Sequence, residues 1–131
     1  MGKRSRKRGG TGGPSAGDGF GLAGGELSAP TNEYTDGEGN RLELRGALTL
    51  KARQEYADIL HGGLNQDDAW QRAIELLFER LTVAWTIHEV RTDKQKELLM
   101  RYRVAGAEER RFVRDSLRAH AAEYFPDIEA P

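Results

Sequence analysis

Large hydrophobic residues are almost absent from the first thirty positions and then arrive in ordered patterns. Between Asn32 and Gly46, Leu42 and Leu44 alternate with Arg41, Glu43 and Arg45. The turn formers Asp36-Gly37 and Gly39-Asn40 stand just before them, so a period of two bounded by turn residues predicts a short β-hairpin over 31–46. An isolated hairpin is marginal in water, and the two leucines are expected to lean on the rest of the body.

From about residue 50 the spacing becomes helical, and four helices are predicted, over about 50–60, 66–89, 93–105 and 107–124. Thr49 is placed to cap the first and Gly62-Gly63 to stop it. Asn65 caps the second, with Asp67 and Asp68 in its positive first turn. Thr92-Asp93-Lys94-Gln95 has the spacing of a capping box for the third. Glu108 and Glu109 favour the start of the fourth, and Phe125-Pro126 closes it.

The second segment decides the architecture. At about 100° per residue, Trp70, Ala73, Ile74, Leu77, Phe78, Leu81, Ala84, Trp85 and His88 share one broad arc. Leu76, Val83 and Ile87 widen it beyond the stripe of a surface helix, which implies a central helix with neighbours on two sides. Thr82–Val90 is rich in β-branched residues and is also readable as a strand. The helix reading is preferred because the i, i+3/i+4 series continues through Trp85 to His88, which makes His88 a core histidine. The fold class expected is therefore all-α: a small four-helix domain at 47–131 around one long helix, preceded by the hairpin.

Ahead of that body, residues 1–30 form a different kind of chain. Residues 9–25 hold nine glycines in 17 positions, and such a tract loses too much entropy on ordering for Phe20 and Leu22 to offset. The leader is expected to be disordered. Charge is divided the same way. Lys3, Arg4, Arg6, Lys7 and Arg8 cluster without an acid, while the whole chain nets only -1. Attraction to a polyanion would start at this end.

Several chemistries find no support. The chain has no cysteine, which removes disulfides, thiol catalysis and thiolate metal sites and makes the cytoplasm the expected compartment. The charged leader lacks the apolar stretch of a secretory signal, and no uncharged apolar run approaches a membrane span. Gly19-Phe20-Gly21-Leu22-Ala23-Gly24 spells the dinucleotide-binding string, but no strand precedes it and no helix follows, so it is read as a product of glycine richness. His61, His88 and His120 form no metal-ligand pattern, and no serine, histidine and acid can be grouped into a catalytic set. No catalytic residue, cofactor or metal is assigned.

Two basic features remain as candidate polyanion contacts: the leader cluster just named, and a stripe of Arg110, Arg111, Arg114 and Arg118 on the fourth helix. Like charges at i, i+4 cost a helix a few tenths of a kcal/mol, so the stripe does not serve the helix itself. Acids on neighbouring helices, or a phosphate or acidic partner, would offset it. A helix-turn-helix around Gly106 fails, because Tyr102 and Asp115 stand where a small and an apolar residue are needed. Arg80, within the apolar surface, is expected to snorkel, to meet an acid or to mark a subunit contact. Met100 and Val104 point outward and favour self-association. The function expected is a non-enzymatic interaction or accessory module that binds an unknown protein and potentially itself. The alternative is a nucleic-acid- or ribonucleoprotein-associated factor that makes salt-sensitive phosphate contacts through the leader and the stripe.

Overall fold

The computed structural model describes residues 29–131. The leader cluster Lys3, Arg4, Arg6, Lys7 and Arg8 and the glycine-rich string both lie outside the described residues. The folded unit from Thr31 onward is α+β, not all-α. Its elements are β1 (Thr31–Thr35), β2 (Arg41–Arg45), α1 (Leu50–Leu60), α2 (Gln66–Leu81), β3 (Thr82–Ile87), β4 (Val90–Thr92), α3 (Gln95–Arg103) and α4 (Ala107–Tyr124). The four strands form one sheet in the order β1-β2-β3-β4, every pair antiparallel. Two hairpins thus lie side by side, with α1 and α2 forming the connection between them.

The main correction concerns residues 82–92. The expected helix over 66–89 stops at Leu81, and Thr82, at φ -74 and ψ 123, already has extended backbone. Thr82, Val83, Thr86 and Ile87 are β-branched and lose side-chain freedom in a helix, whereas a pleated surface accommodates them. Trp85 still reaches the core that Leu77, Phe78 and Leu81 enter, but from the sheet. It stands opposite Leu42 on β2, and its ring meets Phe78 edge-on at 5.6 Å. Its spacing from Leu81 therefore imitated one more helical turn.

The β3–β4 turn is the second correction. His88 and Glu89 adopt φ of 50° and 69°, the left-handed pair of a two-residue type I′ hairpin. Neither is glycine or asparagine, so the usual sequence signal is missing. His88 is exposed at the turn instead of buried in the core. Its backbone N–H donates to Asn40 Oδ1 at 2.9 Å. The Asn40 amide also donates to Asp36 Oδ2 at 2.9 Å, so one nearly buried asparagine ties the two hairpin turns together. Asp36 is desolvated, which opposes ionisation. Hydrogen bonds from the Glu38 and Gly39 backbones and from Asn40 outweigh this and hold its carboxyl below the usual range.

Elsewhere the local rules hold. Thr49 Oγ1 accepts from Ala52 N, and Asn65 Oδ1 accepts from Asp68 N. The capping box expected at Thr92 does not form, because Thr92 ends β4 and α3 begins after Lys94, whose side chain makes no cap bond. α2 packs against α1, α3 and α4 and keeps its central place, though it is shorter than expected. The core joins Leu42 and Leu44 from the sheet to Tyr56, Leu77, Phe78, Trp85, Tyr102, Val113, Leu117 and Phe125. Arg80 meets an acid: its guanidinium lies 2.9 Å from Glu55 on α1. The apolar positions beyond Leu81 belong to a strand, which removes one reason for expecting a covering subunit, while Met100 and Val104 remain 63% and 76% exposed. Among the described residues no helix is long and apolar enough to cross a membrane.

Candidate functional site

α4 is oriented by its apolar stripe. Val113, Leu117 and Ala121 are buried, and with that face turned inward, residues 110, 111 and 114 are carried toward the side where α2 and the end of α3 approach. There a cleft of about 440 Å³ is lined by Gln71, Arg72, Ile74 and Glu75 from α2, Tyr102 from α3, and Ala107, Arg110, Arg111 and Arg114 from α4. Gly106 holds the turn into α4, with its N–H donating to Glu109 Oε1 at 3.3 Å. The second carboxylate oxygen of Glu109 accepts from Arg101 at 2.7 Å, a bond that is the main reason its carboxyl titrates low.

The charges around the cleft are not equivalent. Arg110 donates to the carbonyls of Ala105 at 3.3 Å and Arg103 at 2.9 Å, satisfying acceptors that the end of α3 leaves open. Its guanidinium also lies 5.0 Å from the centre of the Tyr102 ring, so it braces the α3–α4 junction. Glu75, the one acid on the wall, takes Arg103 with both oxygens, at 3.0 and 3.3 Å. By contrast, Arg72, Arg111 and Arg114 are exposed and have no carboxylate partner among the described residues. Tyr102 forms part of the floor. Burial pushes its hydroxyl up, against the pull of Arg110 and Arg114, so it is neutral there.

The four-arginine stripe read from the sequence therefore divides. Arg110, Arg111 and Arg114 line the cleft, and Arg110 is occupied by backbone carbonyls. Arg118 lies outside it, near Asp115 at 3.6 Å and donating to the Pro131 carbonyl at 2.6 Å. Arg72 was not among the candidates. It lies on the polar side of α2, with Asp68 and Glu75 one turn away on either side, and only the packing of α2 on α4 brings it opposite the stripe.

A second polar centre lies at the other end of α4. His120 is wholly buried. Its Nε2 is 2.8 Å from the Arg45 carbonyl, which can only accept, so Nε2 carries the proton. Nδ1, 2.8 Å from the Tyr34 hydroxyl, then accepts from it. The Asn32 amide donates to the same hydroxyl at 3.2 Å. Burial lowers the His120 pKa, only partly opposed by the Arg45 carbonyl and the charge of Glu123. This neutral chain joins β1, β2 and α4, and both ring nitrogens are occupied. Another recess, of about 310 Å³ between α1 and the C-terminal segment, has its polar lining paired within the chain: Arg53 meets Asp127 at 2.6 Å, His61 meets Glu129 at 3.4 Å, and the Tyr56 hydroxyl donates to the Glu129 carbonyl.

Among the described residues no three His, Asp or Glu side chains converge as a metal ion would require. No protein-family model matches the chain, and no significant match was found among curated proteins or solved structures.

Proposed function

We propose that the protein is a non-enzymatic accessory module of the cytoplasm that binds a protein partner through the cleft between α2 and α4. One observation carries this reading. Arg72, Arg111 and Arg114 converge from two helices on one recess without carboxylate partners among the described residues. Like charges brought together this way are unfavourable for the isolated chain, and an anionic ligand would relieve them. The guanidinium fork matches a carboxylate in two-point geometry and is less heavily hydrated than an ammonium, so it suits a contact that must shed water.

A nucleic-acid-associated role is the second reading, because the same forks fit phosphate. Affinity capture from lysate of the native host, with a photocrosslinking residue at position 107 on the cleft rim, compares the two. A protein crosslinked when all three arginines are present, insensitive to nuclease and lost when Arg72, Arg111 and Arg114 are replaced by alanine, is the expected result. Crosslinks that vanish on nuclease treatment would replace the proposal with the second reading.

A further inference from the structure

We infer that the cleft receives an extended acidic segment of a partner protein, in which carboxylates flank a single apolar side chain. This deepens the reading above and rests on the cleft being the binding surface. The recess is amphipathic: Arg72 stands on one wall, Arg111 and Arg114 stand a turn apart on the other, and Ile74 and Ala107 supply the apolar lining. A ligand carrying charge alone would leave that lining wet, and an apolar ligand alone would leave three guanidiniums unmatched. Glu75 does not repel an incoming carboxylate at full strength, since Arg103 holds both of its oxygens.

A nucleic-acid strand suits the same surface less well. Residues 31–131 carry 15 basic against 19 acidic side chains, a net of -4, so the body beyond the recess offers a long polyanion no net attraction. Strand binding also draws on a continuous basic track and on exposed aromatic rings for base stacking. Here the cleft's ring, Tyr102, is 5% exposed and has the Arg110 guanidinium over it. A short peptide needs only the recess, and its few carboxylates match the few unpartnered cations.

The test is fluorescence anisotropy with the full chain at about 50 mM salt, where charge contacts are weakly screened. The probes are a short labelled peptide in which Glu pairs alternate with single Leu residues, the same peptide with Ser for Leu, and an oligothymidylate of equal charge. The Glu/Leu peptide should bind best. The double variant Arg111→Ala/Arg114→Ala should weaken it at least about tenfold, as expected for losing charge-assisted hydrogen bonds. Arg72→Glu should do the same from the opposite wall, and Ile74→Thr should abolish the preference for Leu over Ser. Thermal melts check that each variant is folded. If both arginine variants leave affinity unchanged, or if oligothymidylate binds as tightly as the Glu/Leu peptide, the inference is overturned. A host protein that crosslinks at position 107 but is not displaced by the Glu/Leu peptide would remove this inference and leave the binding-module reading standing. Failure to find any arginine-dependent partner would remove both.

Discussion

The two ends of α4 carry polar side chains in opposite situations. Around His120 every strong donor and acceptor has a partner within the chain: the Arg45 carbonyl, the Tyr34 hydroxyl and, behind it, the Asn32 amide. Around Arg111 and Arg114 the local acid is already taken by Arg103, and the arginines face a recess. Burial separates the cases. A buried imidazole left unpaired costs roughly 1–3 kcal/mol, so folding selects its partners, whereas an exposed guanidinium is satisfied by water until something better arrives. A polar residue with its partners complete is structural first; one that is exposed and unmatched is available.

The sharpest way to break this contrast is to truncate each end and compare stabilities by urea unfolding. His120→Ala removes a buried ring and orphans two hydrogen-bonding groups, and should cost about 3–4 kcal/mol. Tyr34→Phe keeps the ring but withdraws the proton donated to Nδ1, and should cost about 1–2 kcal/mol. If either loss is under about 0.5 kcal/mol, the range of an ordinary surface change, the His120 cluster is not structural.

Acidification probes the same end without mutation. The folded-state pKa of His120 lies below its ordinary value, so the unfolded chain takes up its proton first as pH falls. The His120 contribution is therefore complete above about pH 6.5, declines below that value, and is lost once the folded imidazole itself protonates. The stability difference between wild type and His120→Ala should shrink from pH 7.5 to pH 5.5; a difference that stays constant would contradict a lowered His120 pKa in the folded state. Depressed carboxyls such as Glu109 and Asp127 lose their contribution only as pH falls further, through the carboxylate range.

The smallest stability effect belongs to the cleft. Arg111→Ala/Arg114→Ala should change the unfolding free energy by less than about 0.5 kcal/mol. A clear loss of stability would mean that the two arginines are structural, and the contrast between the ends would collapse.

Much of the helical framework is readable from spacing and caps. Leu50–Leu60 and Ala107–Tyr124 are helical over the ranges that apolar periodicity and their flanking residues indicate. The start of α2 at Asn65 follows from its cap. The sheet is harder to read, for two physical reasons. Trp85 enters the core from β3 at the position one more helical turn would have given it, so periodicity could not tell the two apart. The turn that creates β4 uses His88 and Glu89 in left-handed conformations, and its support comes from Asn40, far away in sequence. The candidate site was half legible. Arg111 and Arg114 stand out as part of a like-charge repeat, but nothing local distinguishes them from Arg110, which caps α3, or from Arg118, which sits near Asp115.

What the sequence determined by itself follows from interactions within a few residues: where helices begin, which positions of α4 face inward, and that its arginines repeat at like-charge spacing. Tertiary structure decided the rest, because it depends on groups brought together from distant segments. It turned the end of the apparent long helix into a strand beside Leu42. It gave Glu75 to Arg103, and it set Arg72 opposite Arg111 and Arg114, so that a stripe on one helix became the wall of a cleft.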